Sequence, residues 1–194
     1  MFVDLWIVNF DLIFENPIEF LLTVQEQERA QKYVFDIDRY RFSARRTILR
    51  RLLSKYLKLD PLEIQIGYHQ HGKPHCSMND KRSLYFNVSH SKNMAVFGFS
   101  TTKELGVDIE YIDTSVDASL ISSHFFAMPE IEEINNHTGW KKADSFYRHW
   151  TIKEAFIKAV GRGLTFPLDH VVVADVHNEI ILKFPGGNYR DYEW

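Results

Sequence analysis

A single cysteine, Cys76, stands among 194 residues, so neither an internal disulfide framework nor a cysteine-based zinc ribbon can be built. That scarcity fits a reducing compartment, and a cytoplasmic location is expected. No apolar run approaches the roughly 18 residues that a membrane span needs. The apolar start, Met1 to Phe14, lacks a basic leader and is interrupted by Asp4 and Asp11, which reads as a strand rather than a signal peptide. Charge of one sign is not in excess either. The 23 Lys and Arg against 26 Asp and Glu leave a net charge of -3, so no whole-protein basic field addresses nucleic acid or an anionic membrane. Any anion site must be local. Fixed-period repeats, linkers and low-complexity tracts are missing, and 45% hydrophobic against 25% charged residues excludes a disordered or collagenous chain. The length fits one globular unit or two small lobes.

The elements that are present follow an α+β order. The stretch from Phe2 to Phe10 is rich in β-branched and aromatic residues and predicts a first strand. Thr23 and Glu26 have capping-box spacing and start a helix near Val24. From Asp38 to Lys58, Ala44, Ile48, Leu49, Leu52, Leu53, Tyr56 and Leu57 recur at helical spacing, and Asp60-Pro61 stops the helix. Arg39, Arg41, Arg45, Arg46, Arg50 and Arg51 cover its other faces, which makes it the obvious place to hold phosphate. Strands are expected over 63–68, 84–89, 94–100 and 105–110, with a polar loop containing His71-Gly72-Lys73-Pro74 between the first two. Helices follow over 118–126, 129–135 and 144–160, the last ended by Gly161-Arg162-Gly163. Late strands are expected over 171–175, 179–184 and 189–194, with a turn at Pro185 to Asn188.

Chemistry concentrates in three places. In Gly106-Val107-Asp108-Ile109-Glu110 the strand period sends both carboxylates to one face. Two like charges about 6 Å apart repel by roughly 3 kcal/mol at an effective dielectric near 20, so the pair needs a cation, a proton or full exposure on an edge strand. On the last long helix Glu154 falls within the stripe of Phe146, Trp150, Ile157 and Val160, flanked by Lys153 and Lys158. It is either a solvated i,i+4 pair with Lys158 or a half-buried group with other partners. If this helix crosses the Asp108 strand, Asp108, Glu110 and Glu154 converge with a lysine nearby, a hard oxygen-only set suited to Mg²⁺ holding a substrate phosphate. Phe86-Asn87-Val88-Ser89-His90-Ser91 ends a strand with groups able to donate to phosphate, or simply turns there. Ser89 and His90 are adjacent and point apart, so they form no nucleophile-base dyad. His69, His71, His75 and Cys76 match no zinc spacing, and Gly161-Arg162-Gly163 follows a helix as a C-cap does.

Read in order, Gly72-Lys73-Pro74, the Phe86 to Ser91 stretch, Gly106 to Glu110 and Trp150 to Leu164 resemble the Sfp-type 4'-phosphopantetheinyl transferases. Each motif alone is weak, and the four together cover Gly72 to Leu164; the basic stretch Ala44-Arg45-Arg46 is similar to the family's upstream coenzyme A region. The resemblance implies two pseudo-symmetric α+β lobes, 1–105 on the coenzyme A side and 106–194 with the metal and the catalytic helix, each a small antiparallel sheet packed with helices. It implies Mg²⁺-dependent transfer of the phosphopantetheine arm from coenzyme A to a serine of an acyl or peptidyl carrier protein by a monomer. Metal ligands would be Asp108, Glu110 and Glu154, with Glu154 activating the serine. Lys158 would neutralise the departing 3',5'-ADP, and Arg46, Lys73, Ser89 and His90 would hold the coenzyme A phosphates and adenosine. Family members continue beyond the point matching Tyr192-Glu193-Trp194, so the second sheet is expected to be short. Ile121, Phe125, Phe126 and Met128 would offer an apolar patch to the carrier. The rival expectation is a non-catalytic module that binds coenzyme A or the carrier without turnover; the pathway served, fatty acid, polyketide or peptide, stays open.

Overall fold

A computed structural model describes residues 3–76, 84–176 and 179–184. The strand-forming start becomes β1 (Val3–Asn9), followed by a short α1 (Phe10–Glu15) whose N-cap Asn9 accepts from Asp11 N–H. Thr23 and Glu26 close the expected capping box of α2 (Val24–Gln31), and α3 runs from Asp36 to Leu57. Lys58, in a left-handed conformation (φ 60°), ends α3 before the Asp60-Pro61 stop is reached. A small hairpin, β2 (Ile66–Tyr68) and β3 (Pro74–Cys76), precedes the longer β4 (Tyr85–Ser91) and β5 (Met94–Ser100). Then come α4 (Ala118–Phe125), α5 (Met128–Asn135), α6 (Gly139–Val160), two 3₁₀ turns, β6 (Val172–Val176) and β7 (Glu179–Lys183). The expected turn at 185–188 and the strand at 189–194 lie outside the described residues. None of the described helices is long and apolar enough to cross a membrane.

Among the described residues all strand pairs are antiparallel, in the order β1-β5-β4, β2-β3 and β6-β7. The α+β expectation therefore holds. Strand periodicity assigns the faces of the larger sheet. Ala95, Phe97 and Phe99 turn inward with Phe86 onto Leu49, Leu52, Leu53 and Leu57 of α3, which forms the main core. Val96, on the opposite face, packs against Leu105 and Val107. Burying each such side chain contributes about 1.5–3 kcal/mol.

Several boundaries differ from the sequence expectation: the apolar start read as one strand to Phe14 turns into α1 at Phe10, where Asn9 caps a helix, and the strand expected over 63–68 is only Ile66–Tyr68. The loop around His71 contains β3, too short to show a period of its own, and α6 starts at Gly139 rather than at 144. The expected strand at 105–110 is not one: this segment has no backbone ladder with β4. Its contacts run from Asn87 to Val107, Ser89 to Asp108 and Ser91 to Glu110, so it lies parallel to β4 and nearly extended, held by side chains. Alternation of buried and solvent-facing residues reports faces, and it cannot tell which groups supply the hydrogen bonds.

Candidate active site

Gly106 brings this segment against α6. A Cβ built on it would stand 1.9 Å from the Ala155 carbonyl oxygen and 2.5 Å from the Ala159 nitrogen, so only hydrogen fits between the two backbones. Two residues on, Asp108 meets the helix. Its side chain is 1% exposed, and Oδ1 accepts from Lys158 Nζ at 2.5 Å and from Ser89 Oγ at 2.7 Å. Lys158 Nζ also donates to Ser89 Oγ at 2.9 Å, which closes a triangle between β4, the segment and α6. The i,i+4 alternative for Glu154 and Lys158 is thus not the geometry adopted, because the ammonium goes to Asp108. Glu154 is half-buried, and burial pushes its carboxyl pKa up; Lys158 opposes this, while the nearby charges of Asp108 and Glu110 add to it. Ser91 Oγ donates to Glu110 Oε2 at 2.9 Å.

These residues are of the kind that a hard divalent cation takes. The donors are all oxygen, the charges of Asp108 and Glu110 reach Glu154 closely enough to raise its pKa, and Asp108 Oδ2 is buried without a hydrogen-bond partner, an acceptor that a cation could satisfy. Among the described residues no three His, Cys, Asp or Glu side chains are already drawn into a coordination group; Lys158 supplies the cation at Asp108.

Two cavities open beside this cluster. One, of about 240 Å³, is lined by His71, Gly72, Lys73, Asn87, Glu154 and Lys158 among others; the second, of about 160 Å³, by Arg29, Phe42, Arg45, Arg46, Tyr68 and His90. Pro74 and Val88 line both, so the cavities share a wall. The second is a cationic pocket. Arg29 and Arg45 stand 5.4 and 6.0 Å from the centroid of Phe42, and burial of Arg45, with Arg29 and Arg46 beside it, depresses its pKa. His90 lies at the rim, and partial desolvation together with Arg45 and Lys158 lowers its pKa to about 4, against an opposing pull from Asp108. It is a neutral donor and acceptor at pH 7. An anion entering this pocket relieves the repulsion among the arginines.

The structure joins Asp108, Lys158 and Ser89 directly, with Glu154 beside them and Glu110 tied in through Ser91, while His90 lines the cationic cavity with Arg45 and Arg46. Arg46 lines the cationic cavity, but its Nε is bound to Glu26, which Arg50 grips at 2.8 and 2.9 Å. Burial would raise the Glu26 carboxyl, yet bonds from Arg50, Thr23 N–H and Arg46 outweigh it and hold the pKa below the ordinary range. Arg46 is thus partly committed to holding α2 on α3. Lys73 lines the first cavity, but its ammonium donates to Glu104 and to the Ala159 carbonyl (2.7 Å), a tie between the β2-β3 hairpin and α6. Of the expected carrier patch, Phe126 is in the core with Phe146, and Ile121 packs against it, while Phe125 and Met128 are exposed.

Sequence reasoning missed Arg29 as a pocket residue, together with the roles of Asn87 and Ser91. It also missed the partner of Lys153. That lysine, fully buried, donates to Glu130 Oε2 (2.6 Å) and to the carbonyls of Leu168 (2.8 Å) and Val171 (2.6 Å), so all three of its N–H groups are satisfied. Glu130 in turn accepts from Ala127 and Val173 N–H.

Comparison with known proteins establishes the family. Residues 104–194 match the model of the 4'-phosphopantetheinyl transferase superfamily, and residues 16–102 match that of a 4'-phosphopantetheinyl transferase N-terminal region. The 4'-phosphopantetheinyl transferase HetI of Nostoc sp. is 34% identical over 176 residues, 89% of this chain and 73% of that protein. The chain belongs to the 4'-phosphopantetheinyl transferase superfamily. A 4'-phosphopantetheinyl transferase of Bacillus subtilis is 30% identical over 90% of this chain and 76% of its own length, and the B. subtilis transferase Sfp is 28% identical over 76% and 64%. A holo-(acyl-carrier-protein) synthase from Bacillus anthracis, solved in complex with CoA (3',5'-ADP), aligns with a TM-score of 0.40 and 22% identity over 50% of this chain and 91% of its own. Within the superfamily frame, the acidic cluster and the cationic pocket fall on the two sides of β4.

Proposed function

We propose that this protein transfers the 4'-phosphopantetheine arm of coenzyme A to a serine of an acyl or peptidyl carrier protein in a Mg²⁺-dependent reaction. The observation that carries the reading is the placement of the Asp108–Ser89–Lys158 triangle, with Glu154 and Glu110, beside a pocket of three arginines and a neutral histidine. A nucleotide pyrophosphate fits that order of charges. The cationic pocket takes the phosphate-bearing adenosine end, and the acidic cluster lies on the pyrophosphate side. Asp108, Glu110 and Glu154 would hold the ion, which supplies charge neutralisation at the pyrophosphate.

The chain's own groups account for the rest. The serine oxygen bonds to the phosphorus nearer the pantetheine, the bond from that phosphorus to the bridging oxygen breaks, and 3',5'-ADP leaves. The serine proton passes to Glu154, directly or through water, a carboxylate oxygen being the acceptor. Lys158 swings its charge toward the departing phosphate, as the exposure of 30% of its side chain permits. Ser89 and His90 orient phosphate oxygens by donation. No covalent enzyme intermediate is required. The same reading divides the chain into lobes at 1–105 and 106–194, with β4 and Gly106 at their junction.

The test is incubation with coenzyme A, Mg²⁺ and an apo carrier protein, with the carrier's intact mass as readout and EDTA as control. Gain of one phosphopantetheine only with Mg²⁺ supports the reading. Coenzyme A binding without transfer to any of several carriers refutes it in favour of a binding module. Glu154→Gln keeps the shape and removes the proton acceptor, and is expected to lower the transfer rate about 10²- to 10⁴-fold.

A further inference from the structure

Side chains alternate along a strand, so Asn87, Ser89 and Ser91 share one face of β4, and all three reach the segment that carries Asp108 and Glu110. Asn87 Oδ1 accepts from Val107 N–H at 3.0 Å, in a buried setting. Ser91 Oγ accepts from Tyr111 N–H at 3.0 Å and donates to Glu110 Oε2 at 2.9 Å. Because this segment makes no backbone ladder with β4, two of its amide donors depend on these side chains. A backbone ladder would fix the main chain alone. One hydroxyl at Ser91 fixes both the main chain, at Tyr111, and an exposed carboxylate that would otherwise sample many rotamers.

We propose that Asn87 and Ser91 are positioning residues that set the spacing of the Asp108 and Glu110 carboxylates: Asn87 fixes the backbone immediately before Asp108, and Ser91 aims Glu110 toward Asp108. This rests on the reading of those carboxylates as the metal-holding pair. Groups that hydrogen-bond a metal-binding carboxylate typically govern affinity by 10- to 100-fold.

The test measures Mn²⁺ uptake by electron paramagnetic resonance with coenzyme A bound, and amide hydrogen exchange at Val107 and Tyr111 by NMR in the metal-free protein. Ser91→Ala is expected to weaken Mn²⁺ about 10-fold and to speed exchange at Tyr111, and Ser91→Thr, which keeps the hydroxyl, restores both. Asn87→Ala is expected to speed exchange at Val107. Asn87 is buried and its alanine variant can fail to fold, whereas Ser91, partly exposed at the end of β4, decides the matter alone. Wild-type Mn²⁺ affinity in Ser91→Ala overturns the proposal, whether or not the Tyr111 amide exchanges faster, since faster exchange alone marks a purely structural brace. If the wild-type protein takes up no Mn²⁺ with coenzyme A present, the metal assignment itself falls and this proposal with it, a result separable from the preceding one.

Discussion

Substituting Gly106 by alanine tests whether the closeness of two backbones is what assembles the site. The glycine is not there for its conformational freedom, because its backbone does not lie in the left-handed region. It is there because a methyl group would enter the carbonyl of Ala155 at 1.9 Å and the nitrogen of Ala159 at 2.5 Å, where real contacts do not fall below 3.0 Å. Both obstacles are main-chain atoms inside α6, so neither rotates away, and the segment must retreat by about 1 Å. Asp108 is two residues along and tied to Lys158 at 2.5 Å. A retreat of that size stretches this contact to the edge of hydrogen bonding and leaves a nearly fully buried carboxylate poorly paired. Overpacking costs about 1–3 kcal/mol, which for a chain of this size lowers the melting temperature by about 2–12 °C. A misplacement of about 1 Å in a site that works by positioning costs about 10²-fold in rate. Both are read from one preparation, by thermal melting and by mass analysis of carrier modification. Gly98→Ala is the comparison, since its methyl group would meet side-chain rather than main-chain atoms, Leu105 Cδ1 and Val107 Cγ1 at 2.7 Å and Leu5 Cδ2 at 3.5 Å. Wild-type stability and rate in Gly106→Ala would refute the reasoning, and equal damage from both variants would show that backbone proximity is not the cause.

Lys153→Met removes the cation from a fully buried pair and leaves the Glu130 charge with only its two backbone N–H donors, so urea denaturation should show a loss of about 3–5 kcal/mol, with the additional Glu130→Gln recovering part of it. Arg45→Ala should weaken 3',5'-ADP binding about 10-fold by calorimetry if the pocket takes the phosphates as proposed, since it removes one of the three arginines that line it. The His90 ring should titrate near 4 by NMR in the free protein and rise when 3',5'-ADP binds, because phosphate charge offsets Arg45 and Lys158. Its depressed pKa means that the unfolded chain binds more protons below about pH 6.5. This group's contribution to stability is therefore complete above that pH and is lost as the pH falls toward 4.

What the sequence could and could not reveal follows from which physical signals are local. The helical stripe from Ala44 to Leu57 predicts α3 because 3.6-residue periodicity is written along a single segment, and Thr23 with Glu26 marks the start of α2 for the same reason. Asp108 and Glu110 share a face by period two, so their proximity was legible, and so was the need of Glu154 for a partner. The partners were not. Lys153 looks like a flanking charge until α5 delivers Glu130 from 23 positions away and the 3₁₀ turn after α6 delivers two carbonyls. Arg29 and Arg45 lie on different helices, and they form one pocket only because α2 packs on α3 around Phe42. Asn87 and Ser91 stood inside a stretch already singled out, yet a strand that bonds through its side chains has the same alternation as one that bonds through its backbone. The charges that a sequence leaves unpaired are therefore its most informative residues. Each states a demand for a partner that only the packed structure can meet, and in this protein the demands of Asp108, Glu154 and Lys158 converge on one site, where the buried, unpartnered Oδ2 of Asp108 leaves one of them open to a cation.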